Sequence, residues 1–285
     1  MRVVICGGGV IGACMAYFLS QRRAEVTVVE RTEVAAAASG KAGGFLALDW
    51  CAGTPLDALA RRSFELHAAL AHEMGNDWGH RGMTAYSGLI VTDSDSRRRK
   101  PSQLNWLAES VVVTSRLSTP ATTAIVHPLK FTSGMMRAAQ RNGATLQFGR
   151  VTGIVRDVHN MTARGVQIDG RILEADAVVI AMGPWSVLAS EWMDLPAVYG
   201  QRSPSIVYNT GLDVPAHALF LECEDQSEAV SIEVFPRADG STHVTALSEF
   251  APLPLDPADV RPEPAAIDRL RVGIEHCRTM ASSQS

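Results

Sequence analysis

The 285-residue chain has no C-x-x-C pair, and its five cysteines, Cys6, Cys14, Cys51, Cys223 and Cys277, are scattered along it. That pattern excludes a disulfide framework and reads as reduced, buried thiols, which points to a cytoplasmic compartment. Histidine clusters are missing too. His67 and His72 stand five apart, off the spacing that aligns two ligands on one helix face, so no metal site is expected. An excess of basic charge is absent: the formal net charge is −4, against the positive footprint of nucleic-acid-binding proteins. The one dense basic run, Arg97-Arg98-Arg99-Lys100, lies beside Asp93 and Asp95 and before Pro101, and reads as a solvated loop. No apolar run approaches the roughly 20 residues of a membrane span. The stretch Val3 to Leu19 is broken by Gly7-Gly8-Gly9 and Gly12 and runs on into a second strand, which argues against a signal peptide. With strand residues from the start, no presequence is expected ahead of the fold. There is no internal repeat and no low-complexity segment. A hydrophobic fraction of 46% with 20% charged residues is ordinary for a chain with a real core.

What is present is concentrated in the first thirty residues. Arg2 to Cys6 is a short apolar strand, Gly7, Gly9 and Gly12 follow in G-x-G-x-x-G spacing, a helix comes next, and Val26 to Glu30 is a second strand ending in a carboxylate. Glu30 lies about 18 residues beyond Gly12, close to the separation expected of a dinucleotide-binding fold. Gly7 permits the tight turn, Gly9 lets backbone approach a pyrophosphate, and Gly12 lets the helix sit close on the sheet. The helix N-terminus then aims its unpaired N–H groups and positive dipole end at the phosphates. Glu30 can accept from a ribose diol and would repel a 2′-phosphate, so NADP is disfavoured. An ordinary glycine-rich turn of another α/β fold is the alternative.

After Glu30 comes a small-residue loop, with Ser39, Gly40, Gly43 and Gly44 offering either a surface loop or a second backbone cradle. Helical spacing predicts a helix over 56–74 with Gly75 at its C-cap. A strand is predicted over 87–92, a helix over 102–117 with Leu104, Leu107 and Val111 as its stripe, and a strand over 123–126. A helix over 129–141 closes at Asn142-Gly143. Strands follow over 144–148 and 151–155. Segments 165–168 and 171–173 flank Asp169-Gly170, a hairpin signal. Ala175 to Gly183 reads as a buried parallel strand. Tandem hairpins in that position are unusual for NAD-dependent dehydrogenases. Further strands are predicted over 197–208, 218–221, 230–235 and 242–247. A proline-rich connector over 252–264 then leads to a helix over 265–280.

Four stretches carry a resemblance: Ile5-Cys-Gly-Gly-Gly-Val-Ile-Gly-Ala13, Ala38-Ser-Gly-Lys-Ala-Gly-Gly-Phe45, Ala177-Val-Val-Ile-Ala-Met-Gly-Pro-Trp-Ser186 and Val234-Phe-Pro-Arg-Ala-Asp-Gly240. Together they resemble FAD-dependent oxidoreductases of the D-amino-acid oxidase, glycine oxidase and sarcosine oxidase family, over residues 2 to about 272. The resemblance implies an α/β fold: a Rossmann-type FAD-binding domain interleaved with a mixed, β-rich substrate domain. The FAD-binding parts would be 1–85 and 127–188, the substrate parts 86–126 and 189–262, and 263–285 a C-terminal helix and tail. It implies FAD as cofactor, with Gly7, Gly9, Val10, Ile11 and Gly12 at the pyrophosphate, Glu30 at the ribose and Arg31 beside it. Ser39 and Gly40 would meet phosphate, and Lys41, Ala42, Gly43 and Gly44 would pass along the ribityl chain. Val151 would meet adenine, and Ala181, Gly183 and Trp185 would mark the chain's return to the cofactor.

The implied activity is oxidation of a C–N bond in a small amine or amino acid, with hydride passing to flavin N5. No catalytic acid, base or nucleophile is assigned; Arg202, Tyr208 and His127 read as structural. The family pattern continues past the last helix, so the chain is expected to lack a C-terminal part that completes the flavin site. The competing expectations are a truncated, non-catalytic FAD- or nucleotide-binding protein and an NAD-dependent dehydrogenase.

Overall fold

The computed structural model describes residues 1–91, 104–159, 162–223, 230–246 and 248–275. Residues 1–42 form β1 (Arg2–Cys6), α1 (Val10–Gln21), β2 (Glu25–Glu30) and a single helical turn, α2 (Ala38–Lys41). Residues 43–127 carry β3 (Phe45–Ala47), α3 (Asp57–Met74), β4 (Arg81–Gly82), β5 (Thr84–Ile90), β6 (Val111–Arg116) and β7 (Thr123–Ile125). Then come α4 (Pro128–Arg141), β8 (Thr145–Phe148), β9 (Val151–Arg156), β10 (Ala163–Ile168), β11 (Arg171–Glu174) and β12 (Ala177–Ile180). A 3-10 stretch, Gly183–Glu191, leads to β13 (Gln201–Arg202), β14 (Ser205–Asn209), β15 (His217–Cys223) and β16 (Val230–Pro236). The last elements are β17 (Ser241–Thr245), β18 (Glu249–Phe250) and α5 (Pro264–Glu275).

These elements gather into two compact units. The first comprises Met1–Ala42, Pro128–Gln201 and Phe250–Arg261. Its centre is a parallel sheet in the order β12-β1-β2-β8. Alternation along β1 decides what each face meets. Ile5 turns toward α1, where Gly12 sits close to its side chain. Val4 and Cys6, with Val29, pack instead on Val166, Ile168 and Ala175, contributed by the antiparallel sheet β11-β10-β9 and the turn leading into β12. The hairpin turn between β10 and β11 has both Asp169 and Gly170 at positive φ, 46° and 80°, as a two-residue type I′ connection requires. Cys6 is buried and Cys14 half-buried, and desolvation pushes both thiol pKa values up to about 12, so both stay protonated.

The second unit comprises Gly43–His127, Arg202–Glu249 and the segment from Pro262. Its main sheet is six-stranded and mixed, in the order β14-β17-β16-β15-β5-β6. One face packs Ile90, Leu219, Leu221, Ile232 and Val244 with Leu270 of α5. The other packs Ala218 and Phe235 with Met83 and Ile125, and a small antiparallel sheet, β3-β7-β4, lies in the same unit.

Of the helix expected over 102–117, the described residues, 104–117, are not helical. Residues 104–110 are turns, and Val111–Arg116 is an edge strand paired antiparallel with β5, Ile90 facing Val111. The β-branched run Val111-Val-Val-Thr114 fits a half-buried strand better than a helix, and Val111 is buried by that pairing. The strand expected over 197–208 is also shorter than its pattern. Residues 195–200 have no regular structure, Gln201–Arg202 is a separate short strand, and the main strand starts at Ser205. Pro196 and Pro204 lack the N–H that a ladder needs. The segment 38–41, expected as loop, closes one helical turn. The strand expected over 87–92 starts earlier, at Thr84, the one expected over 175–183 is limited to Ala177–Ile180, and the last helix is described from Pro264 to Glu275; Gly75 caps α3 at φ 89°. The basic run at 97–100 and Cys277 lie outside the described residues.

Two outcomes test this packing. Leu270 is 1% exposed, so Leu270→Ala should cost about 2–5 kcal/mol in chemical denaturation, since it leaves a cavity under α5. His67 on α3 has its pKa lowered to about 4, first by burial and then by repulsion from His80. Between about 4 and the ordinary 6.5 the unfolded chain takes the proton and the native one does not, so stability should fall as pH drops through that window. A His67→Leu variant should lose less midpoint than wild type over the same range in thermal melts.

Candidate cofactor site

The site is built where two strands of the parallel sheet leave in opposite directions along it. From β1 the chain crosses through α1 to β2 on one side, while β12 pairs with β1 on the other. In open α/β sheets ligands bind outside the carboxyl ends of strands at such a switch. Gly7 follows β1 there, and Ala181 follows β12. Their backbones pass so closely that a Cβ on Gly7 would stand 2.4 Å from the Ala181 carbonyl oxygen, and Gly7 has φ 110°. Gly12 is equally constrained: a Cβ would stand 1.9 Å from the Gly7 carbonyl oxygen. Both positions require glycine.

Helix α1 begins at Val10, and its N-cap, Gly9, has no side chain to satisfy the first N–H groups. Ser39 of α2 does so from elsewhere in the chain: its Oγ accepts from the Val10 N–H at 2.9 Å. The hydroxyl proton of Ser39 is then directed away from Val10 and available to an anion at the same helix end.

Glu30 closes the other side. One carboxylate oxygen accepts from the Gly8 N–H at 2.6 Å, and the other accepts from the Thr32 N–H at 2.9 Å. The glycine turn and the end of β2 are thereby tied together through one side chain. The Thr32 hydroxyl also donates to that second oxygen, at 3.3 Å, so the oxygen facing Gly8 is the one that keeps a lone pair for a diol. Arg31 is anchored outside the turn, donating to the Leu255 carbonyl at 2.7 Å and to Asp256 at 2.9 Å. The indole N–H of Trp185 donates to the Pro254 carbonyl at 2.8 Å.

One cavity of the first unit brings together Gly7, Gly9, Val10, Ile11, Glu30, Arg31, Ser39, Val151, Ala181, Gly183 and Trp185, all expected there from sequence. Gly12 and Gly40 support it from behind; a Cβ on Gly40 would stand 2.2 Å from the Ala35 carbonyl oxygen. Lys41 and Ala42 are exposed and outside the cavity lining. Gly43 and Gly44 belong to the second unit. There Gly43 lies against Phe235, where a Cβ would meet the ring at 2.6 Å, and Arg237 donates to its carbonyl at 3.3 Å. Sequence reasoning did not foresee Met182, Arg150 or Pro257 in the cavity wall, nor Asp256 as the partner of Arg31. The only local signal for the last was the proline-rich run that holds residues 252–257 extended.

The residues outside the cavity that were read as structural stay occupied by protein. Arg202 is bound by Glu249 at 2.5 Å and Glu263 at 2.9 Å. The imidazole of His127 lies 3.6 Å from the Asp239 carboxylate.

The cradle fits a dinucleotide on its own geometry: two obligatory glycines, a helix N-terminus with a hydroxyl beside it, and a fixed carboxylate. Comparison with known proteins identifies which one. The family model described as FAD dependent oxidoreductase matches residues 2–277. An oxidoreductase of Schizosaccharomyces pombe is 26% identical over 280 residues, covering 89% of this chain and 72% of its own length. Glycine oxidase from Geobacillus kaustophilus superposes with a TM-score of 0.76 at 22% identity, over 97% of this chain and 78% of that one. Glycine oxidase from Bacillus cereus gives 0.73 at 22% identity, over 96% and 79%. Among the described residues no helix is long and apolar enough to cross a membrane. The chain belongs to the FAD dependent oxidoreductase family, whose cofactor is FAD.

Proposed function

We propose that this protein oxidises a C–N bond of a small amine or amino acid, with the cavity of the first unit holding the adenosine and pyrophosphate end of FAD. The observation that carries the reading is the switch-point cradle, where Gly7, Gly12, Ser39 and Glu30 are fixed by backbone contacts before any ligand arrives. Preorganisation of that kind lowers the ordering cost of binding.

In this reading Gly7, Gly9, Val10 and Ile11 present main chain to the pyrophosphate, with Gly12 behind them holding α1 close. Ser39 donates its hydroxyl proton to a phosphate oxygen, and Gly40 keeps that turn tight. Glu30 accepts from the ribose diol. Arg31 stays neutralised by Asp256, which prevents a free cation beside the ribose from inviting a 2′-phosphate. Val151 meets the adenine, and Ala181, Gly183 and Trp185 form the wall by which the chain returns from β12. FAD, when bound, supplies the hydride acceptor that no side chain provides. The substrate loses a hydride and a proton across its C–N bond, and water hydrolyses the resulting imine. The named neighbours, two glycine oxidases, support this substrate class.

Anaerobic addition of amines and amino acids to the purified yellow protein should bleach the flavin band for at least one of them. A bound flavin that no such compound reduces would contradict the oxidase reading and favour a non-catalytic FAD-binding protein. Removing the Glu30 carboxylate deletes charge-assisted hydrogen bonds, each worth about 1.5–3 kcal/mol, so Glu30→Ala should weaken FAD retention at least about tenfold in a fluorescence titration. Gly7→Val should abolish retention, since its Cβ has nowhere to go.

A further inference from the structure

We propose that Glu233, with the rings of Phe220 and Trp50, forms a recognition point for an organic cation. Its ligand is an amine or amino acid that carries a positive charge. This rests on the oxidase reading for the identity of the ligand, not for the existence of the cation site.

Alternation along β16 places Ile232 and Val234 on the face that packs with Leu270. Glu233 and Phe235 therefore point to the opposite face. The register puts Phe220 of β15 directly across from Glu233 on one side and Thr245 of β17 on the other. Directly opposed side chains of an antiparallel pair have Cβ atoms about 4.5–5.5 Å apart, so Glu233 and Phe220 leave the sheet side by side on the same face. Around it the aromatic groups are continuous. The Phe220 centroid is 5.2 Å from that of Trp50, 5.5 Å from that of Phe45 and 5.7 Å from that of Phe235. Phe220 is half-buried and Trp50 is 47% exposed, so ring surface remains accessible within this unit.

A carboxylate in such a place is costly unless something compensates it. Among the described residues Glu233 has neither a hydrogen bond nor an ion pair, and burial raises its pKa with no opposing cation. Its cross-strand neighbour does not serve it, because the Thr245 hydroxyl donates to the Pro204 carbonyl at 2.9 Å. Other charges of the same unit are answered: buried Arg237 by the Gly43 carbonyl and half-buried Arg202 by two glutamates. A negative group next to an aromatic cluster is suited to an ammonium or guanidinium, which gains charge pairing from the one and cation–π attraction from the other. An anionic or neutral side chain would gain neither.

The test is isothermal titration of the purified full-length flavoprotein with 1,5-diaminopentane, and with 1,5-pentanediol as its uncharged counterpart. The diamine should bind wild type at least tenfold more tightly than the diol, and Glu233→Gln should remove that preference. Phe220→Leu keeps an apolar residue of similar volume and should weaken diamine binding severalfold, which keeps the proposal testable if the glutamine variant misfolds. Equal diamine affinity in wild type and Glu233→Gln, or no binding to wild type, would overturn the cation site. Flavin bleaching followed in the same samples separates the two readings. Glu233-dependent binding without bleaching would keep the site and remove the oxidase. Bleaching by an amine, together with equal diamine affinity in wild type and Glu233→Gln, would keep the oxidase and remove the site.

Discussion

The first unit depends on one close backbone crossing. The Gly7 carbonyl lies where a Cβ of Gly12 would be, and the Ala181 carbonyl lies where a Cβ of Gly7 would be. Two neighbouring segments, the β1 turn and the first turn of α1, and one far along the chain, the end of β12, thus share space that only glycine leaves open. From that crossing follow the parallel pairing of β12 with β1 and the direction in which the α1 N-terminus points. The cofactor cradle is a consequence of how the sheet is closed, not an addition to it.

Two side chains of the cradle each perform a structural task with one set of atoms and leave another set for the ligand. Ser39 caps α1 through its oxygen and keeps its proton; Glu30 binds two backbone N–H groups and the Thr32 hydroxyl and keeps a lone pair on the oxygen facing Gly8. This ties cofactor affinity to local stability, because substituting either residue loosens the turn as well as removing a contact. The second unit works differently. Its six-stranded sheet has one face committed to an apolar core under α5, while the other mixes aromatic rings with the carboxylate of Glu233, which has no hydrogen bond or ion pair among the described residues.

Much of this was legible in the sequence because the decisive signals are local. Gly7, Gly9, Gly12 and Glu30 sit within one strand–helix–strand unit, Asp169-Gly170 specifies its own turn, and Asn142-Gly143 ends its own helix. What sequence could not show depends on partners far along the chain. The segment 104–117 carries an apolar spacing that suits a helix. Yet the free edge of β5 offers Val111-Val-Val-Thr114 a ladder, and tertiary pairing outweighs the local preference. Arg31 was assigned to the ribose side by resemblance, but nothing near it foretold Asp256, more than two hundred residues away. Glu233 read as one polar position in an alternating strand. Only the register of three strands shows what stands beside it.

The central claim is that the crossing at Gly7, Gly12 and Ala181 holds FAD. The most direct measurement is the identity and amount of dinucleotide released when the purified protein is denatured, quantified by chromatography with mass detection. The account predicts FAD, approaching one per chain, and none from a Gly12→Val variant that remains folded. Release of NAD, or of no dinucleotide from a well-folded protein supplied with FAD, would contradict it.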